Sequence, residues 1–323
     1  VTVLARTAKP PEVWELFFPL GARDFRSIGH KAIDVANTHR VLGVIGWENA
    51  EIPLRSLAYA LLMHEDGNPA DRNASADEPG RKNWDRVKTL SEQWKEGSED
   101  RGGVLELMET LRDGTPEEAP GKVVELLERG VGPVSIWDAL FLQAAELVVR
   151  QPGIVSLHSV TTSRALHYAY RQSSDSRTQA YLLLQNASFL PMFRETMRDR
   201  GNLEDFQLDR LEPKKGAGQT DQEQVDAIFD IMSEEPHEAA RRTLAYFQSD
   251  APLDVWWARS RQLLVAKGRG PHDYKYTSAV GEIFHHLSPE WKPLFMASSA
   301  FLLKGSGEAE NPLIGSARTM LSK

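Results

Sequence analysis

The chain has 323 residues, a length that suits one large domain or two modest ones. Its 41% hydrophobic and 26% charged residues are a globular composition, which excludes disordered, collagenous and low-complexity classes. The absence of cysteine excludes disulfides, thiolate zinc, iron–sulfur clusters and cysteine nucleophiles, and a net charge of −8 argues against sequence-independent nucleic-acid binding.

The longest apolar runs, Val41–Trp47 and Ala139–Val149, fall short of the ~18 residues a membrane span needs. The first residue is Val1, so the expectation is that the start has been removed and no signal peptide is left to read. A soluble chain, cytoplasmic or exported, is expected.

The dominant period is helical. Pro10 and Pro11 open a helix that Gly21 can stop. Residues 27–45 and 50–63 continue the pattern, and the polar stretch 64–82 has none, reading as a mobile insertion or a functional lid. Further helices are expected at 83–96, 103–112, 116–129, 133–150, 154–171 and 176–199. After a candidate linker at 211–222 come 222–233, 236–248, 252–266, 273–287 and 289–304. No period-2 strand and no fixed repeat stands out. The fold expected is all-α: an irregular domain of about a dozen helices around a central polar pocket. It would span 1–323, with a sub-division into 1–210 and 211–323 as the variant.

Chemistry then falls to His, carboxylates, Lys, Tyr and Ser. The chain has no G-x-S-x-G, H-E-x-x-H, Walker A or G-x-G-x-x-G. Three histidine clusters remain. In the first, His30, Asp34 and Asn37 share one helix face; Asp34 would fix the His30 tautomer and leave the other nitrogen for a substrate or metal. In the second, His158 shares a face with Thr161 and Thr162, with Arg164 and Arg171 further on. His167 lies about 180° away around the same helix and is expected to pack instead. In the third, His272, Asp273, Tyr274 and Lys275 open a helix whose N–H groups favour an anionic ligand, with capping by Asp273 as the plainer role. Glu282 and His285 supply one Glu-x-x-His copy, where a di-iron bundle uses two.

Weaker signals have structural readings. Gln143 and Glu146 are expected to make structural hydrogen bonds, Gln185 and Asn186 to line the same cavity, and His39, His64 and His237 to be solvated. Trp47, Trp137, Trp256, Trp257 and Trp291 are expected in the core.

At Gly29-His30-x-x-Ile33 and Leu157-His158-x-Val160-Thr161, with the Arg177–Leu184 helix following, the chain resembles the questin oxidase-like family over residues 26–195. The resemblance implies an all-α oxidoreductase, in family members a Baeyer–Villiger-type oxygenation of a polyketide-derived aromatic. It supports His30 and His158 as pocket residues.

The leading expectation is therefore an oxidoreductase acting on a small organic substrate, with His30, His158, Asp34 and His272 as catalytic candidates. Asn37, Arg40, Thr161, Arg164, Tyr274 and Lys275 are candidates for substrate binding. His30, His158 and His272 would hold iron, copper or zinc, Asp34 or Asp273 supplying a carboxylate, or would act as general acid and base. One alternative is a b-type haem with His30 or His158 as axial ligand and Arg40 or Arg164 on the propionates. The other is a non-catalytic helical scaffold, which would expose apolar patches.

Overall fold

Proline at the first helical positions and polar residues at the caps define most of the helix starts. The computed structural model describes residues 1–62, 74–249 and 251–322. His64 and most of the expected 64–82 insertion lie outside them. Among the described residues there are sixteen α-helices, several short 3-10 turns and one isolated bridge, Ser98 to Val131. No helix among them is long and apolar enough to cross a membrane.

By contact clustering the chain divides into two compact units, residues 1–143 with 161–200 and residues 144–160 with 201–323. The first begins with α1 (Thr2–Thr7), α2 (Pro10–Ala22), α3 (His30–Ile45) and α4 (Glu51–Leu62). Next come α5 (Glu78–Val87), α6 (Arg101–Asp113), α7 (Glu118–Glu128), the start of α8 (Pro133–Arg150) and the end of α9 (Ile154–Gln172). α10 (Ser176–Arg198) is the hub of this unit, meeting α2, α5, α6 and α7. Its start is capped by Asp175, which accepts from the Thr178 N–H at 2.6 Å. From Tyr181 to Pro191 every residue is buried, the pattern of a helix surrounded by others. Arg194, 2% exposed, donates to the carbonyls of Leu111, Arg112 and Gly114 at 2.7–2.8 Å. It thereby satisfies the carbonyls that the end of α6 leaves open.

The second unit takes the end of α8 and the start of α9, followed by α11 (Asp221–Ile231), α12 (Pro236–Gln248) and α13 (Leu253–Lys267). α14 (Pro271–His286), α15 (Lys292–Ser299) and α16 (Pro312–Leu321) complete it. α12 and α15 form its main pair. Small buried residues on both, Ala239, Ala240 and Thr243 against Ala297, Ser298 and Ser299, let the two backbones approach. Trp256 is fully buried beside Phe229, Tyr246 and Phe247. Tyr246 donates its hydroxyl to the Pro252 carbonyl at 2.9 Å, and burial pushes the phenol up to about 12.

Several elements depart from their sequence-based bounds. The helix expected at 83–96 starts earlier, at Glu78 with Pro79 in its first turn, and stops at Val87. Beyond it the chain is pulled into backbone pairing: Ser98 N–H donates to the Gly130 carbonyl at 3.0 Å, and Gly132 N–H to the Ser98 carbonyl at 2.7 Å. The stretch expected at 289–304 is a 3-10 turn followed by the short α15. α1 and the largely exposed α16 were not expected.

Candidate functional site

His30 is the first residue of α3 and follows an unusual backbone. Ser27 (φ 58°, ψ 31°), Ile28 (φ 47°, ψ 46°) and Gly29 (φ 82°, ψ 3°) are all left-handed. That conformation costs a non-glycine residue about 1–2 kcal/mol, so Ser27 and Ile28 need outside support. Asp24 provides it. This carboxylate, 1% exposed, accepts from the Arg26 backbone N–H at 3.0 Å and from the buried Lys31 ammonium at 2.9 Å, bracketing the turn on both sides. Arg26 also forks onto Asp77 at 2.9 and 2.8 Å. Burial alone would raise the Asp77 carboxyl, but the Arg26 hydrogen bonds and the charges of Arg26 and Arg23 outweigh it and hold it below the usual range.

The turn aims its carbonyls inward. His30 Nδ1 lies 2.5 Å from the Ser27 carbonyl oxygen, so Nδ1 carries the proton and Nε2 the lone pair. The Ser27 carbonyl, three residues upstream, thus orients the His30 ring. Gly29 presses against α9: a Cβ there would stand 2.2 Å from Thr162 Oγ1 and 2.6 Å from its Cγ2. No other residue type fits.

His158, 2% exposed on α9, repeats the same orientation. Its Nδ1 lies 2.6 Å from the Ile154 carbonyl oxygen, one turn back, which again assigns the lone pair to Nε2. The His272 ring meets it edge-on, with centroids 5.2 Å apart at 66°. His272 is the second residue of α14. Its neighbour Asp273 is occupied as a cap, accepting from the N–H groups of Arg269 at 2.8 Å and Gly270 at 3.3 Å and pairing with Lys304 at 3.1 Å. Partial burial raises this carboxyl, but those backbone donors and the Lys304 ammonium prevail and lower it. Asp273 is therefore no spare metal ligand.

The remaining candidates divide. Asp34 and Asn37 are half-buried, one and two turns along α3 from His30. Thr161 is buried and Arg164 half-buried on α9. Tyr274 and Lys275 are exposed, which removes them from any buried ligand site. Arg40 lies ten residues beyond His30, about 15 Å at 1.5 Å per residue, with its guanidinium 4.0 Å over the Tyr168 ring.

Glu146 meets its structural expectation, accepting from the Leu208 N–H at 2.9 Å. Gln143 does not: both amide atoms are buried without a partner among the described residues, as are Asn186 Nδ2 and Thr162 Oγ1. Gln185, by contrast, is tied down, accepting from Asn83 at 2.7 Å and donating to the Ala22 carbonyl at 2.5 Å. His167 packs on Trp137 and Phe141 as expected, and His237 is exposed, 3.1 Å from Glu204. His39 is not solvated but half-buried, its ring 4.7 Å from Trp14 and its Nδ1 2.8 Å from the Tyr168 hydroxyl. Trp137, Trp256 and Trp291 are core residues, whereas Trp47 and Trp257 are only half-buried. The sequence reading missed Asp24 and Lys31, whose Asp-x6-Lys spacing carries no signal until the left-handed turn folds it shut.

No family model, curated protein or solved structure matches the chain.

Proposed function

We propose that His158 and His272 hold a transition-metal ion, iron, copper or zinc, and that the chain is a metal-dependent oxidoreductase acting on a small organic substrate. The observation that carries this reading is that the His158 and His272 rings, both in the second unit, meet edge-on with centroids 5.2 Å apart. The anchoring of the rings supports it further. A metal-binding histidine usually donates its second ring N–H to a carbonyl or carboxylate, which fixes tautomer and orientation. His30 and His158 both do so through Nδ1.

Such an ion would leave positions open to oxygen or substrate and would supply Lewis-acid or redox chemistry. The choice of oxidoreductase over hydrolase rests on the family resemblance at Gly29-His30 and His158. The chain's own residues present Nε2 lone pairs, hold the rings by carbonyl anchors and, with Thr162 against Gly29, fix where α3 begins. The haem alternative has less behind it, because Arg40, a propionate partner in that reading, stacks over Tyr168. A scaffold role draws support from Val44, Ile52 and Tyr59, which are 74–87% exposed.

The test is metal analysis after reconstitution with Fe(II), Cu(II) or Zn(II) and desalting. The reading expects roughly one equivalent of one metal in the native protein and loss of most of it in His158→Ala and His272→Ala variants. Less than about a tenth of an equivalent for all three metals would overturn it.

A further inference from the structure

Away from those histidines, α4 turns an apolar face to solvent. Its buried residues, Leu54, Leu57 and Leu61, mark the side that packs on the rest of the first unit. On the opposite side Ile52, Arg55, Tyr59 and Leu62 fall within about 80° of one another at 100° per residue. Ile52, Tyr59 and Leu62 are 57–76% exposed, and the Arg55 side chain is 64% exposed. The last turn of α3, which packs on α4, adds Val41, Val44 and Ile45 at 42–87%. At about 100 Å² each, these six apolar side chains leave roughly 600 Å² open, the upper end of what a monomer exposes in one patch. A two-fold pair would bury about 1,200 Å² in total, the size at which specific, stable interfaces begin. We propose that this face is the contact between two copies of the chain, with α4 lying antiparallel to α4 of the partner.

The face fits itself in one direction only. A two-fold axis level with Leu57 sets Ile52 against the partner's Leu62 and Arg55 against the partner's Tyr59, and by symmetry the reverse. Apolar then meets apolar, and each guanidinium lies over a phenol ring. A parallel pair would instead set Arg55 on the partner's Arg55, which like charges oppose. Arg55 is loosely held on its own chain: its Nη1 stands 3.9 Å from Glu51, a carboxylate that Arg6 already takes at 2.7 Å. The open area and this self-matching order favour a second copy over a different protein.

The experiment is sedimentation velocity on the whole chain from about 1 to 100 μM, where a dimer is expected to grow with concentration. Ile52→Asp and Tyr59→Asp are each expected to weaken association at least about tenfold, with helix content by circular dichroism unchanged. Orientation is read by disulfides, because the chain has no cysteine of its own. Arg55→Cys mixed with Tyr59→Cys is expected to give a cross-linked heterodimer. Arg55→Cys alone would hold its two thiols about 6 Å apart along the helix axis and cross-link far more slowly. A monomer at every concentration, a dimer unaffected by both aspartate variants, or Arg55→Cys cross-linking to itself as fast as to Tyr59→Cys would each overturn the proposal. The first measurement needs no variant to fold. Association is also expected to be the same in metal-free protein, which keeps this surface independent of the histidine reading.

Discussion

Replacing Gly29 with alanine tests the placement of His30 directly. The new Cβ carries two separate penalties. At φ 82° an L-residue costs about 1–2 kcal/mol. Contacts at 2.2, 2.6 and 2.9 Å with Oγ1, Cγ2 and Cβ of Thr162 add overpacking of about 1–3 kcal/mol. Gly29→Ala is therefore expected to destabilise by about 2–5 kcal/mol, read as a fall in the urea midpoint at constant slope. Thr162→Ala separates the two terms. Its hydroxyl has no partner among the described residues, so the single change costs only a methyl-sized cavity, about 1 kcal/mol. In the double variant the closest two contacts are gone, and the loss should be at least about 1 kcal/mol smaller than the sum of the single losses. Additivity within about 0.5 kcal/mol, or a Gly29→Ala variant as stable as the parent, would refute the close approach of the α3 start to α9.

Three further outcomes follow from the buried charges. Arg194→Ala strands three carbonyls at the end of α6 and should cost about 3–5 kcal/mol in urea unfolding, whereas Arg198→Ala, an exposed ion pair with Glu195, should cost under about 1 kcal/mol. Lys31→Met leaves Asp24 buried with Arg23 and Arg26 beside it; a loss of about 3 kcal/mol is expected in urea unfolding. His39 has a folded pKa below its ordinary value, so the unfolded chain takes up its proton first. Its contribution to stability is complete above the unfolded value near 6.5 and is lost as pH falls from there toward the folded pKa. Denaturation midpoints measured from pH 7 down to pH 5 should fall less steeply in His39→Phe; identical slopes would count against the burial of that ring.

How much of this was legible beforehand depended on the range of the interactions involved. α8 ran from Pro133 to Arg150 as read, because Pro133 starts it and the Gln-Pro-Gly run stops it locally. The end of α5 was not legible: beyond Val87 the chain takes short turns and then reaches Ser98, which pairs with residues 130–132 more than thirty positions later. His39 looked solvated because its aromatic neighbours come from α2 and from Tyr168, 129 residues away. His30 and His158 stand out by residue type, apolar context and the family resemblance, and His272 by its place at a helix start rich in ionisable groups, and that is as far as sequence takes them. The ring orientations came from carbonyl positions, which no side-chain pattern encodes. Local propensity pointed the wrong way at Ser27 and Ile28, where left-handed backbone is disfavoured for both residue types.

That local contradiction is itself informative. A chain selected only for stability would place glycine or asparagine at two consecutive left-handed positions, as most turns do. Instead Ser27 and Ile28 are held there by a carboxylate that is 1% exposed and bonded on both sides of the turn, and by a bidentate Arg26–Asp77 pair that ties the turn to the start of α5. Burying those charges is expensive unless every partner is in place, so the network has no economy as a mere helix start. Its product is a carbonyl, that of Ser27, placed to accept a hydrogen bond from His30 Nδ1. At His158 an ordinary helix delivers the same result, because the Ile154 carbonyl one turn back faces the ring without distortion. Two unlike backbones arriving at one tautomer is what a requirement for an Nε2 lone pair would select, and helix stability alone offers no reason for it.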